Sequence, residues 1–232
     1  MAEREASDRL IVALDVPTAS EARALVARLG NAVAFYKIGH ELLFDGGLDL
    51  ARELKGQGKR VFLDMKLLDI SNTMERSVAN AARLGVDFLT IHGHDSKSVQ
   101  AAVGGKGDSG LKLLAVTVLT NLSAEDVAEQ GIARLPAELV LHRARLALAC
   151  GCDGVIASGE EAALIRAQSG PAFLIVTPGI RPAGAALADQ TRVVTPQAAV
   201  RAGANHIVVG RPITQASDPK AAANAIIASL RT

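Results

Sequence analysis

Between Val61 and Thr73 the chain reads VFLDMKLLDISNT, and three of these residues could do chemistry together. Asp64 and Lys66 are two positions apart at the end of the apolar run Val61, Phe62, Leu63. Side chains alternate along a strand, so both charges should turn to the same side. Unlike charges at a buried strand end are costly unless they pair or act on a ligand. Asp69 follows where a strand should give way to a loop, and Met74, Val78, Ala81 and Leu84 then recur at helical spacing. The exit of a strand that feeds a helix is where α/β folds keep their sites. A structural salt bridge with a capping residue behind it would explain a bare Asp-x-Lys pair; a third charge calls for more.

The rest of the chain supplies elements to position such a group. Buried strands are expected at residues 10–15, 32–38, 60–64, 88–92, 111–119, 154–157, 172–176 and 206–209. Helical patterns separate them, including 21–29 capped by Ser20, a helix or broken pair over 41–58 interrupted by Gly46 and Gly47, and 138–150. Eight strands alternating with helices, with no linker or low-complexity segment, predict an α/β fold: one (β/α)8 barrel covering 1–232 as a single catalytic domain. An open doubly wound sheet usually needs fewer units.

The strand ends share one character. Asp15, Lys37, Asp64 with Lys66, Thr120, Ser158, Arg181 and Arg211 are all polar and would project into one mouth of a barrel. The last two strands are followed by Gly179-Ile180-Arg181 and Gly210-Arg211. Loops at these positions commonly hold phosphate in barrels. Glycine lets backbone N–H approach an oxyanion, and arginine offers a bidentate fork. A stretch rich in Ala and Gly, 182–190, could close over such a phosphate, with Gln190 donating a hydrogen bond. These features point to a phosphorylated small molecule as substrate.

Composition narrows the class further. Hydrophobic residues make up 49% but aromatics only 3%, so the core must be aliphatic, as suits parallel strands covered by helices. A net charge of +1 gives no support to nucleic-acid binding. No apolar run is long enough for a membrane span and residues 1–8 carry no signal-like segment, so the expected setting is cytoplasmic. Cys150 and Cys152 are too closely spaced, and too alone, for a metal or redox pair and read as reduced thiols.

Taken together, the segments ALDV at Asp15, FYKIGHEL at Lys37, FLDMKLLDISNT, TVLTNL, TPGIRP and VGRPIT resemble the orotidine 5′-phosphate decarboxylase family in order and spacing, from about Leu10 to Thr214. Leu68 and Ser71 stand where many members have His and Pro. The resemblance implies a cofactor-free and metal-free decarboxylation of orotidine 5′-monophosphate to uridine 5′-monophosphate (UMP), the last step of de novo pyrimidine synthesis. It implies Lys66 as proton donor to C6 of the pyrimidine, Asp64 facing the substrate carboxylate, and Lys37 and Asp69 completing an alternating charge array. It also implies a homodimer in which Asp69 and Thr73 come from the partner subunit. Asp15 and Lys37 would hold the ribose, Thr120 and Ser158 would lie near the base, Arg181, Gln190, Gly210 and Arg211 would surround the phosphate, and Pro178 would also touch the substrate. The nearest rival resemblance is to Mg-dependent sugar-phosphate decarboxylases and synthases with the same skeleton. Those resemble barrels with an acidic metal ligand on the second strand, where this chain has Lys37, and an ammonium there would repel the cation.

Overall fold

Eight apolar runs form parallel strands: β1 (Leu10–Ala13), β2 (Phe35–Ile38), β3 (Arg60–Leu67), β4 (Phe88–His92), β5 (Lys112–Val116), β6 (Gly154–Ile156), β7 (Leu174–Thr177) and β8 (His206–Val209). Each pairs with the next and β8 returns to β1, closing a barrel with no free edge. The computed structural model describes residues 6–182 and 194–231. Gln190 and nearly all of the expected closing stretch lie outside the described residues. The helices between strands are α1 (Ala19–Leu29), α2 (His40–Leu43), α3 (Gly47–Gly56), α4 (Ser71–Arg83), α5 (Ser96–Lys106), α6 (Ala124–Glu129), α7 (Pro136–Ala149), α8 (Ala162–Ser169), α9 (Pro196–Arg201), α10 (Arg211–Thr214) and α11 (Pro219–Ser229). Among the described residues no helix is long and apolar enough to cross a membrane.

Parallel strands covered on both faces read as unbroken apolar runs, and the burial follows. Ile11, Phe35, Phe62, Phe88, Leu114, Val176 and Val208 fill the barrel interior. Leu10, Val12, Tyr36, Ile38, Leu63, Leu89 and Ile207 face outward under the helices. Fully burying one such side chain contributes about 1.5–3 kcal/mol, so this shell supplies most of the driving force.

Local differences from the sequence expectation have local causes. Thr18, not Ser20, caps α1: its hydroxyl accepts the Glu21 N–H, and Ser20 already lies inside the helix. β2 starts at Phe35 because Gly30–Ala32 form a 3₁₀ turn first. The pattern over 41–58 is a broken pair: α2 ends at Leu43 with Phe44 as its cap, and Gly46 at φ 82 turns the chain into α3. Gly105 sits within α5 because a Cβ there would come within 2.2 Å of the Glu75 carbonyl oxygen on α4. Both cysteines are free, and burial pushes the Cys152 thiol up to about 12, so it stays protonated.

At the opposite end from the strand exits, three units repeat one device. Asp87, Asp153 and Asn205 each directly precede an even-numbered strand and accept the N–H of the second residue in the strand before: Val61 at 2.8 Å, Leu113 at 2.9 Å and Ile175 at 2.9 Å. A cation from the preceding helix holds each acceptor in turn: Lys55 at 2.8 Å, Lys106 at 2.7 Å and Arg166 at 2.5 Å. Strand starts that would leave an N–H unpaired are thus stapled to their neighbours.

Candidate active site

The expected group of charges is assembled by an irregularity in β3. This strand runs to Leu67, three residues beyond the expected end, and carries both Asp64 and Lys66. Its pairing with β4 jumps from Leu63–Leu89 to Leu67–Ile91, so β3 bulges across Asp64, Met65 and Lys66. Lys66 has φ 47, the one non-glycine residue with positive φ among the described residues. That backbone conformation costs an L-residue about 1–2 kcal/mol. Plain alternation therefore does not account for Asp64 and Lys66 facing one way. The bulge does, and it brings Lys66 Nζ to 2.9 Å from Asp64 Oδ1. Two side chains hold the bulge: the Lys66 N–H donates to Thr90 Oγ1 at 2.9 Å, and His40 Nε2 meets the Met65 carbonyl at 2.9 Å.

From Lys66 the charges alternate across three strands. Asp64 Oδ2 lies 3.4 Å from Lys37 Nζ, and Lys37 Nζ lies 3.0 Å from Asp15 Oδ1. Lys37 is buried, and burial alone would lower its pKa; Asp64 and Asp15 more than offset this and hold it above the ordinary lysine value. Burial works on Asp64 in the opposite sense, raising its pKa, but Lys37, Lys66 and the Thr90 hydroxyl together keep it below the ordinary carboxylate value. Both groups are therefore charged at neutral pH. An ammonium fixed in this way can stabilise negative charge developing beside it and can deliver a proton.

The array forms one wall of a cavity of about 490 Å³ at the C-terminal ends of the strands. Asp15, Lys37, Asp64, Lys66, Thr120, Pro178, Gly179, Arg181, Gly210 and Arg211 all line it. The two arginines follow β7 and β8 and line the same cavity as the acid–ammonium array, so a ligand with an anionic end and a reacting ring could engage both. Among the described residues, three of those singled out from sequence are not in the lining. Ser158 is buried, and its hydroxyl accepts the Glu160 N–H at 3.3 Å. Asp69 is exposed, with its carboxylate on the Ile70 N–H at 2.6 Å, and Thr73 lies within α4. Sequence reading missed Asn121 and Gln215, which add amide groups to the lining, and the apolar patch of Val116, Val118, Leu119 and Ile156. TVLTNL contains three of these residues, Val118, Leu119 and Asn121, so that motif was the available signal. Gln215 carried none.

A closed parallel barrel with its polar cavity at the C-terminal mouth defines the class as (β/α)8-barrel proteins, whose sites lie at that face. Within the class, residues 8–226 match the Orotidine 5′-phosphate decarboxylase / HUMPS family, and the chain belongs to it. It is 53% identical over 223 residues to an orotidine 5′-phosphate decarboxylase of Rhodopseudomonas palustris (strain BisB5), covering 96% of this chain and 94% of that one. A protein of the same name from Bradyrhizobium sp. (strain ORS 278) is 53% identical over 225 residues, covering 97% and 92%. The crystal structure of orotidine 5′-phosphate decarboxylase from Lactobacillus acidophilus superposes with a TM-score of 0.85 at 40% identity, covering 96% of this chain and 99% of that one.

Proposed function

We propose that this protein decarboxylates orotidine 5′-monophosphate to UMP and CO₂ (EC 4.1.1.23), completing de novo UMP synthesis in the cytoplasm, with the barrel as its single catalytic domain. The observation that carries this reading is the alternating Asp15–Lys37–Asp64–Lys66 array facing a cavity whose rim holds Arg181 and Arg211. The phosphate binds at Arg181, Arg211 and the backbone of Gly210, with Gln190 adding an amide, and Pro178 also contacts the substrate. The ribose hydroxyls meet Asp15 and Lys37, and the pyrimidine lies near Thr120 and Ser158. Asp64 faces the carboxylate, crowding the group that must leave. As the bond from C6 to the carboxylate breaks, CO₂ departs and its electron pair stays on C6. Lys66 Nζ stabilises that charge and transfers a proton to it, then regains a proton from water. Phosphate binding far from C6 supplies the energy to organise the site.

Asp69 and Thr73 act across a homodimer interface. Their absence from the lining of their own cavity supports this, as do the exposed apolar side chains Leu68 and Ile70 that flank Asp69. Lys37 argues against the Mg-dependent sugar-phosphate chemistry of related barrels, because its ammonium fills the space between Asp15 and Asp64 that a cation would need.

The test is the ultraviolet absorbance of orotidine 5′-monophosphate with purified protein in EDTA. Conversion to UMP is the expected outcome; no conversion, with sugar-phosphate activity on adding Mg²⁺, would overturn it. For the interface, inactive Lys66→Ala and Asp69→Ala proteins are mixed. A hybrid dimer carries one intact site, so activity should reappear, and its absence would place Asp69 outside the partner's site.

A further inference from the structure

We propose that Thr90 is a positioning residue for both Lys66 and Asp64, its single hydroxyl fixing the backbone that carries the ammonium relative to the carboxylate that pairs with it. This rests on the functional reading above and deepens it. Thr90 is fully buried on β4 and does not line the cavity, so it has no direct access to substrate. Its Oγ1 accepts the Lys66 N–H at 2.9 Å and donates to Asp64 Oδ1 at 2.9 Å. The directions are forced: a backbone N–H can only donate, an ionised carboxylate can only accept, and the hydroxyl has one proton to give. Asp64 Oδ1 also takes Lys66 Nζ at 2.9 Å, which closes a ring that begins and ends on Lys66.

The need for this hydroxyl arises from the bulge. Where β3 slips against β4, no strand pairing reaches residues 64–66, and the Lys66 N–H finds the Thr90 side chain in place of a backbone carbonyl. The same hydroxyl breaks the equivalence of the two Asp64 oxygens. Oδ1 is held by Thr90 and Lys66, and Oδ2 is left for Lys37 at 3.4 Å. Without it, the carboxylate is restrained only by two ammoniums that pull from different sides, and the left-handed backbone at Lys66 loses its hydrogen bond. The sheet does not need this hydroxyl, since Thr90 pairs with β5 through its backbone, in register with Leu114. A lysine displaced by about 1 Å from its reacting atom loses much of its rate, whereas phosphate capture at the far rim is untouched.

Four proteins test this: wild type, Thr90→Val, Thr90→Ser and Thr90→Ala, each assayed for kcat and KM on orotidine 5′-monophosphate and for inhibition by UMP. Valine keeps the shape and removes both hydrogen bonds. The expected result is a kcat lowered roughly 10- to 100-fold, with KM and UMP inhibition within about threefold of wild type. Serine, which keeps the hydroxyl, should return kcat to within about threefold. A Thr90→Val protein with near wild-type kcat would overturn the proposal, as would a loss confined to KM, or a serine variant no better than valine. Should Thr90→Val not fold, the contrast between serine and alanine decides in the same way. A wild type inert toward the substrate would overturn the functional reading itself, an outcome distinct from an active wild type with an equally active valine variant.

Discussion

The two ends of the barrel use the same ingredients to opposite purposes. At the floor, Asp153 accepts from Lys106, from Lys112 at 3.1 Å and from the Leu113 N–H, while Asp87 accepts from Lys55 and the Val61 N–H. Above them, Phe35 and Phe88 pack edge to face at 5.0 Å, His206 packs against Phe88 at 5.3 Å, and the Arg60 guanidinium lies 4.0 Å over Phe35. Each carboxylate there accepts a strand N–H besides its lysines, and the Arg60 guanidinium lies on an aromatic face. At the mouth, Asp15, Lys37, Asp64 and Lys66 are as closely paired, but they border a cavity. An ion pair's distance does not tell whether it is structural. What stands on its other side does: a strand's N–H at the floor, room for a ligand at the mouth.

The sharpest way to break this comparison is at Lys66. Lys66→Ala should lower kcat on the order of 10⁴-fold or more, since it removes a proton donor and a fixed charge together. UMP binding and thermal stability should stay close to wild type; a variant with substantial turnover would show that the array is as structural as the floor. Arg211→Ala should reduce kcat/KM roughly 10- to 100-fold, the value of a charged hydrogen bond, with most of the loss in KM. An unchanged kcat/KM would remove the rim from phosphate capture.

The floor should respond in the other currency. Asp153→Ala leaves the Leu113 N–H buried without its acceptor and two lysines without their carboxylate, a cost of about 1–3 kcal/mol. For a chain of this size that lowers Tm by several degrees, roughly 2–4 °C per kcal/mol. Differential scanning calorimetry reads the shift, and kcat should remain within about twofold of wild type. A fall in kcat with no change in Tm would reverse the assignment.

Much of this was legible in the sequence. Polar residues closing apolar runs marked the strand ends, because a filled barrel interior tolerates charge only toward its two ends, and Asp15, Lys37, Asp64, Lys66, Thr120, Arg181 and Arg211 came together as expected. The bulge was not legible: an Asp-x-Lys spacing looks the same in a regular and a slipped strand, and the slip is defined by the partner β4. Thr90 was hidden for the same reason, as a β-branched residue in an apolar run that reads as strand packing. The floor staples join residues 26 to 40 positions apart, beyond any local pattern. Asp69 stood out by its spacing, but Thr73 and the placing of both in a partner's site could be named only from family resemblance, since their own cavity does not include them.

The smallest effect separates the two ends by pH. Burial, with Arg60 nearby, pushes the His206 imidazole at the floor down to about 4, so it is neutral in the folded protein across most of the acidic range. An unfolded chain protonates its histidine below about 6.5. Between those two values the unfolded state binds the extra proton, and stability therefore falls as pH is lowered through the window. The Asp64 carboxylate at the mouth is depressed instead from the ordinary carboxylate value, so its contribution is intact above about 4 and is lost only below that. His94 is held at about 4 by burial and by Arg143 and adds to the same window as His206, so the loss does not vanish when one histidine is removed. His206→Gln, which can still donate to the Asp8 carbonyl, should nevertheless flatten the urea-midpoint profile between pH 6.5 and 4.5 by roughly 2 kcal/mol, while leaving the limb below pH 4 in place. Identical profiles for variant and wild type in that window would mean that the packing of His206 against Phe35 and Phe88 does not hold its imidazole neutral.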